Sequence, residues 1–186
     1  ALGTATIKAN NTASSDARGL YADIGGENSI HATGDLTVEA SSKSWIAYAL
    51  DAVGDYFPPG GTNSLSGEAD ITIRALAGGG EGQAIRAKYN GVNDIDGNDL
   101  ASVLVTAKGG NASAMYVEQK GVNLIHDAVS VSLSSEGTSG GYALNAKGGV
   151  NTIKDSGEVI LSAKGSSAYG MYVVGSGNAN SLENIA

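Results

Sequence analysis

The sequence predicts an all-β chain, a right-handed parallel β-helix of about six coils, each of roughly 28–30 residues with three short strands. Three observations predict it. A glycine-x-Asn-x-aliphatic motif recurs along the chain, two strand-like blocks travel with that motif at nearly fixed offsets, and the composition suits thin, regularly stacked layers.

The motif reads Gly26-Glu27-Asn28-Ser29-Ile30, Gly61-Thr62-Asn63-Ser64-Leu65, Gly91-Val92-Asn93-Asp94-Ile95, Gly121-Val122-Asn123-Leu124-Ile125 and Gly149-Val150-Asn151-Thr152-Ile153. A further copy, Asn178-Ala179-Asn180-Ser181-Leu182, has Asn in place of the glycine. Successive motif Asn residues lie 35, 30, 30, 28 and 29 positions apart. One Asn at the same corner of every coil predicts a structural ladder of Asn28, Asn63, Asn93, Asn123, Asn151 and Asn180, each amide bonding the ones above and below. The aliphatic residue two positions on, from Ile30 to Leu182, is predicted to point inward.

The first travelling block reads small-aliphatic-x-small: Gly19-Leu20-Tyr21-Ala22, Ala49-Leu50-Asp51-Ala52, Ala84-Ile85-Arg86-Ala87, Ala114-Met115-Tyr116-Val117, Ala143-Leu144-Asn145-Ala146 and Gly170-Met171-Tyr172-Val173. Its aliphatic members form a second predicted inward stack. The other block alternates aliphatic-x-aliphatic-x-small over 36–40, 71–75, 103–107, 131–135 and 159–163, with 5–9 as a degenerate first copy. A unit of this size cannot bury its apolar positions alone, and stacking makes them a shared core. A leucine-rich horseshoe lacks its leucine consensus here, and a propeller blade needs four strands and closure. The chain therefore reads as one solenoid segment, residues 1–186.

Composition agrees. Apolar residues make up 41% of the chain but aromatics only 5%, and 28 residues are glycine, so the core must be built from small aliphatic side chains. The net charge of −8, with no Lys/Arg cluster, argues against nucleic acid or an anionic membrane as partner, because both require a basic patch. With no cysteine, disulfides and thiolate metal sites are excluded. No run approaches the length of a membrane-spanning helix and Ala1 does not open a signal peptide, so export and anchoring parts are expected outside this chain.

Several segments, Ala168-Tyr169-Gly170-Met171-Tyr172, Gly149-Val150-Asn151-Thr152-Ile153 and Ser156-Gly157-Glu158-Val159-Ile160-Leu161-Ser162-Ala163, together resemble the repeats of bacterial autotransporter (type V secretion) passenger domains of the pertactin-like kind. The resemblance covers nearly the whole chain and rests on a repeat consensus. It implies a right-handed β-helix exported to the bacterial cell surface and tethered there by a C-terminal outer-membrane β-barrel, which this chain does not contain. It also implies a non-enzymatic scaffold or adhesin with no cofactor, whose partners are host-cell or bacterial surface proteins or glycans. This segment is then an interior piece of a longer passenger. Its open ends or faces are candidates for self-association.

Departures from the repeat are where function is expected, because loops leaving a rigid solenoid carry binding groups. The longest insertion adds Asp55-Tyr56-Phe57-Pro58-Pro59-Gly60, which holds the only Phe and both prolines, and the sole Trp45 lies in another lengthened turn. Trp45, Tyr56, Phe57, Pro58 and Pro59 are therefore the candidate contact residues for a carbohydrate or protein; the competing reading has Trp45 and Phe57 folded back on the solenoid flank. A shorter insertion, with Asp94, Asp96, Asn98 and Asp99, alternates hard oxygen ligands like a calcium loop, but it lacks the sixth-position glycine and has Val105 where a bidentate Glu belongs. A solvated acidic turn is the expectation there, and no metal site is assigned.

The outward slot three residues after each Asn holds His31, Ser66, Asp96, His126, Lys154 and Glu183. The His-Ser-Asp order invites a triad, yet Ser66 stands between the other two, so Asp96 cannot orient His31. The ladder Tyr21, Asp51, Arg86, Tyr116, Asn145 and Tyr172 is mixed in character and reads as a sugar-contacting or a solvated face. Alternatives to the scaffold are a glycan-binding module and a polysaccharide lyase or hydrolase, since enzymes of that class share the fold. The enzyme reading needs carboxylates or basic residues recurring at one slot, a pattern that is weak here. An ice-binding array fails because Thr37 and Thr72 are followed by Leu104, Ser132 and Ile160.

Overall fold

The computed structural model describes residues 3–13, 15–55 and 58–186. The strands run in chain order as β1 (Ala5–Asn11), β2 (Ala17–Asp23), β3 (Glu27–Ala32), β4 (Leu36–Ser42), β5 (Ala47–Val53), β6 (Thr62–Gly67), β7 (Ile71–Ala77) and β8 (Glu81–Lys88). They continue as β9 (Val92–Asp96), β10 (Ser102–Glu118), β11 (Val122–His126), β12 (Ser130–Ala146), β13 (Val150–Ser156), β14 (Glu158–Lys164), β15 (Ser167–Val173) and β16 (Ala179–Ile185). No helix occurs among the described residues. Every pairing is parallel, each strand lying on its counterpart one repeat away, which makes a β-solenoid of about six turns.

The Asn-motif strands form one six-stranded sheet in the order β16-β13-β11-β9-β6-β3. Its register aligns Asn28, Asn63, Asn93, Asn123, Asn151 and Asn180 without a slip, and two residues on aligns Ile30, Leu65, Ile95, Ile125, Ile153 and Leu182. The remaining strands form a ten-stranded sheet, in which the stack from Leu20 through Leu50, Ile85, Met115 and Leu144 to Met171 is likewise in register. Middle members of both stacks are buried, whereas Met171 and Leu182 keep 44% and 40% of their surface because only one neighbouring coil covers them.

Sequence periodicity predicts three separate strands per coil, but β10 and β12 are each 17 residues long and carry the third strand of one coil straight into the first strand of the next. The reason lies in the corner residues. Gly109-Gly110 in β10 and Gly141 in β12 have no Cβ to collide with the backbone one coil away, and Gly137 has none to collide with the Gly140 carbonyl across its own corner, so the ladder bends there and continues, with one register shift between Gly109 and Asn111.

The glycine of the motif has an equally direct cause. A Cβ at Gly61 would stand 2.2 Å from the Ala22 carbonyl oxygen, and one at Gly91 would stand 2.1 Å from that of Ala52. Only glycine lets coils approach so closely at this corner. At the other end of the Asn strand, Asp127, Asp155 and Asn184 take left-handed backbone angles, with φ of 51°, 47° and 50°, a conformation that short polar side chains tolerate best among residues with a Cβ.

The Asn residues do more than stack. From Asn28 to Asn151, each Nδ2 donates to the Oδ1 of the next Asn, at 2.8, 2.9, 2.8, 2.8 and 2.8 Å along the ladder. Nδ2 also donates to a main-chain carbonyl of the preceding strand in the same coil: Asn28 to Tyr21, Asn93 to Arg86, Asn123 to Tyr116, Asn151 to Asn145 and Asn180 to Tyr172. The ladder thus ties coils to one another and each corner to the strand before it.

Asn123, fully buried, is central to this arrangement. Asn123→Leu orphans the Tyr116 carbonyl, the Asn151 Oδ1 and one Asn93 N–H, at about 1–3 kcal/mol for each buried group left unpaired. Its urea midpoint is expected to fall well below that of Ser132→Ala, on the half-exposed face of β12. Coincident midpoints for the two variants would show that the Asn ladder does not hold the coils.

Candidate functional site

The first strand of each coil contains a local irregularity from which the site is built. Gly19, Ala49, Ala84, Ala114, Ala143 and Gly170 are passed over in the pairing, and register resumes at the following aliphatic residue. These small residues face inward: Ala49, Ala84, Ala114 and Ala143 lie in the core, and a Cβ at Gly19 would meet Val38 Cγ1 at 2.9 Å. Two successive residues therefore point into the solenoid, and the residues flanking them, three apart, both turn outward and converge across the bend.

The result is a trough on the outer surface, running along the solenoid axis between two rows of side chains. One row is the predicted ladder of Tyr21, Asp51, Arg86, Tyr116, Asn145 and Tyr172. The other is Arg18, Tyr48, Gln83, Ser113, Tyr142 and Tyr169. The expected solvated face is corrected by this geometry, because Asp51 and Asn145 are 0% and 2% exposed. The second row carried a signal that sequence reading missed, since each member immediately precedes the small residue of its block.

The lower trough is closed by an ion-pair cluster. Arg86 grips Asp51 in bidentate fashion, Nε to Oδ1 at 2.7 Å and Nη2 to Oδ2 at 3.0 Å, and its Nη1 donates to the Tyr48 hydroxyl at 3.0 Å. The guanidinium also lies over the Tyr48 ring, 4.0 Å from its centroid, and Arg18 Nε stands 3.4 Å from Asp51 Oδ2. Burial pushes the Asp51 carboxyl upward against the pull of Arg86, whereas at Arg86 burial is outweighed by the charge and hydrogen bonds of Asp51 together with Tyr48 and Glu118, which strengthen the positive form. Burial raises the Tyr48 phenol to about 12.

Farther along, Tyr142, Tyr169 and Tyr172 form an aromatic cluster. Tyr142 stacks on Tyr169 with ring centroids 5.5 Å apart and planes at 8°, and Tyr172 leans against both at 5.3 and 5.1 Å. Between cluster and ion pairs lies a cavity of about 210 Å³ lined by Glu81, Gln83, Asn111, Ser113, Tyr116, Tyr142, Asn145 and Lys147. Gln83 Nε2 donates to Glu81 at 2.9 Å and Asn145 Nδ2 to Ser113 Oγ at 3.2 Å, but the amide oxygens of Gln83 and Asn145 have no protein partner. Tyr116 donates to Glu118 at 2.8 Å; burial and that bond raise its phenol. Burial opposes the Glu118 charge, but bonds from Lys88 and Tyr116 outweigh it and hold the carboxyl below its usual range.

The residues singled out in the sequence fall in separate places. Trp45 is 53% exposed, and Pro58 and Pro59 are exposed too, so Trp45 does not fold back on the flank. Trp45 and the prolines stand at opposite ends of β5, a strand of 7 residues and about 23 Å. They do not make one patch. Tyr56 and Phe57 lie outside the described residues.

In the acidic turn, Asp96 Oδ1 accepts from the Asn98 N–H at 2.7 Å, and the exposed Asn98 and Asp99 close a left-handed turn. The carboxylates of Asp94 and Asp96 face His126 instead of converging with Asn98 and Asp99. His126 Nε2 lies 3.1 Å from Asp94 Oδ1, while its Nδ1 lies 2.6 Å from Asp127 Oδ2 and 3.9 Å from Asp96 Oδ1. Asp96, His126 and Asp127 offer ligand atoms within 4.8 Å of one another, with His126 hydrogen-bonded to Asp127 and not to Asp96. In the same outward slot, His31 Nδ1 is 2.8 Å from Ser66 Oγ and Nε2 is 3.9 Å from Glu68 Oε1, beyond hydrogen-bond reach, with His31 and Glu68 44% and 42% exposed on an open sheet face. Nothing there shields a nucleophile from water.

Two predictions follow from these charges. Burial lowers the His126 pKa, but the Asp127 hydrogen bond and the Asp94 and Asp96 charges overcome it and raise it above its ordinary value, with Lys154 next in register and Asp155 beyond. A native pKa above the ~6.5 of an unfolded chain means that protonated His126 stabilises the fold at and below that pH and loses the effect as pH rises through the native value. An NMR titration of the His126 ring should have its midpoint above 6.5; a midpoint at or below it would remove the carboxylates' role. Arg86→Met leaves Asp51 buried beside only Arg18 and is expected to destabilise by about 3–5 kcal/mol, with Arg86→Met/Asp51→Leu restoring most of the loss. If the double variant is no more stable than the single, the pairing is not what Arg86 contributes.

Compared with known proteins, the chain matches no family model, no curated protein and no solved structure.

Proposed function

We propose that the chain is a stretch of a bacterial autotransporter passenger, a non-enzymatic surface scaffold of the adhesin type that presents a ligand-contacting trough. The observation that carries the reading is the trough itself. The repeat places two outward side chains per coil side by side across a bend, so that a regular scaffold gathers tyrosines, amides and ion pairs into one strip with a cavity at its middle. Such a strip, rigid because its backbone is held by the Asn ladder, suits recognition of an extended partner.

Binding is favoured over bond cleavage by the state of the trough's carboxylates. Asp51 is held by two guanidiniums, Glu118 by Lys88 and Tyr116, and Glu81 accepts from the Gln83 amide, so all three are engaged within the scaffold instead of poised for proton transfer. The Gly-Val-Asn-x-Ile and Tyr-Gly-Met-Tyr repeats support the passenger assignment. On that assignment a C-terminal outer-membrane β-barrel displays the solenoid at the bacterial surface, where it meets host-cell or neighbouring-cell proteins or glycans.

Beads carrying the purified chain should attach saturably to epithelial or bacterial cells and be displaced by the free chain. The coding sequence around it should specify an export signal upstream and a barrel downstream. Attachment no greater than that of albumin-coated beads would defeat the adhesin reading, and flanks lacking both features would defeat the passenger reading.

A further inference from the structure

The cavity at the middle of the trough has a property that the rest of the scaffold lacks. Gln83 Oε1 and Asn145 Oδ1 are the only buried side-chain polar atoms without a partner among the described residues, in side chains 7% and 2% exposed that both line it. A buried acceptor left unpaired forfeits the hydrogen bonds that water gave it in the unfolded chain, and a chain that satisfies each Asn of its ladder at 2.8–2.9 Å carries this cost at one place. Neither amide is positioned by need of the fold. In neighbouring coils the slot of Gln83 holds Tyr48 and Ser113, and that of Asn145 holds Tyr116 and Tyr172.

The surroundings specify the missing partner. Two amide oxygens call for a hydrogen-bond donor, while Ser113, Asn111 and Lys147 offer donors and acceptors around the same space. The volume, about 210 Å³, corresponds to roughly seven waters at ~30 Å³ each, or to one sugar ring. One wall is Tyr142, and beyond it Tyr169 and Tyr172 extend an aromatic platform along the axis, with Tyr169 42% exposed. Both arginines of the trough are turned onto Asp51, the one ammonium on the cavity wall, Lys147, is offset by the Glu81 carboxylate on the same wall, and the chain carries a net charge of −8, so an anionic ligand finds no surplus positive charge there.

We propose that the trough binds a neutral oligosaccharide, with one sugar seated among Gln83, Ser113, Tyr116 and Asn145 and the following sugars lying on Tyr142, Tyr169 and Tyr172. Hydroxyl groups supply the donors that the two amides lack, and the tyrosine faces take the apolar faces of the rings. The unpaired oxygens are shielded from solvent, and rotation about the terminal bond of each amide, a soft torsion, presents them to an entering hydroxyl. This assignment names a ligand class for the trough on which the adhesin reading rests.

The experiment titrates the intact 186-residue chain by calorimetry and NMR with tetrasaccharides of glucose, N-acetylglucosamine, mannose and galactose, and with a glucuronate-containing tetrasaccharide as the anionic control. At least one neutral tetrasaccharide should bind saturably. Gln83→Leu and Asn145→Leu should each weaken it by about tenfold or more while leaving the thermal midpoint close to that of the unsubstituted chain, since each removes an unpaired acceptor along with one amide hydrogen bond, to Glu81 or to Ser113. Tyr169→Ala should weaken the tetrasaccharide but not the corresponding monosaccharide. The proposal is overturned if no neutral glycan on this panel binds, if only the glucuronate form binds, if affinity survives both leucine variants, or if those variants unfold early because ordered water satisfies the amides. Bead attachment separates this from the adhesin reading: attachment that persists in both leucine variants leaves an adhesin with a different site, and glycan binding without attachment leaves the site without the adhesin.

Discussion

The Asn ladder holds this molecule in register, and its influence reaches the outer surface by a short path. One N–H of an Asn amide goes to the next coil and another to the main-chain carbonyl of Tyr21, Arg86, Tyr116, Asn145 or Tyr172. Those five residues are members of one row of the trough. An amide buried at the corner therefore fixes the backbone from which a surface side chain projects, and the precision of the trough derives from hydrogen bonds that never touch a ligand.

The bend is the second determinant, and it depends on residue size. An uninterrupted strand would send the two rows to opposite faces. Placing Ala or Gly beside the inward Leu, Ile or Met lets two neighbouring residues share the core side, which turns both flanking positions outward. Polar groups become buried outside the apolar core as a consequence. Asp51, for instance, is enclosed by Tyr48 and two arginines instead of by aliphatic side chains.

Much of this was legible in the residues. A period-two alternation with a fixed Asn corner determines which side chains face in, and both inward stacks and the Asn ladder appear in the predicted register. Two features were not legible. Fusion of strands into β10 and β12 depends on backbone clearance at Gly109 and Gly141, which periodicity does not report. Of the trough, one row was read as a ladder but not as a wall, because the bend that brings Tyr116 beside Ser113 and Asn145 beside Tyr142 leaves one residue unpaired with the register unbroken, and a sequence pattern counts residues without recording which of them is passed over in pairing. The irregular turns drew attention because they were irregular; Trp45 and Pro58-Pro59 prove to be far apart, and the convergent chemistry lies on the regular part of the repeat.

The pairing register also makes the trough divisible. Each coil contributes one side chain to each row, about 4.8 Å from the next, and those two positions are neither in the Asn ladder nor in the aliphatic stacks. Duplication of a single repeat adds one rung, and substitution at two positions per coil changes what that rung presents while the core and corners stay as they are. A lineage carrying this architecture can thus vary the length and the chemistry of this strip independently, under one constraint: a charge buried in it, such as Asp51, changes together with its partner Arg86.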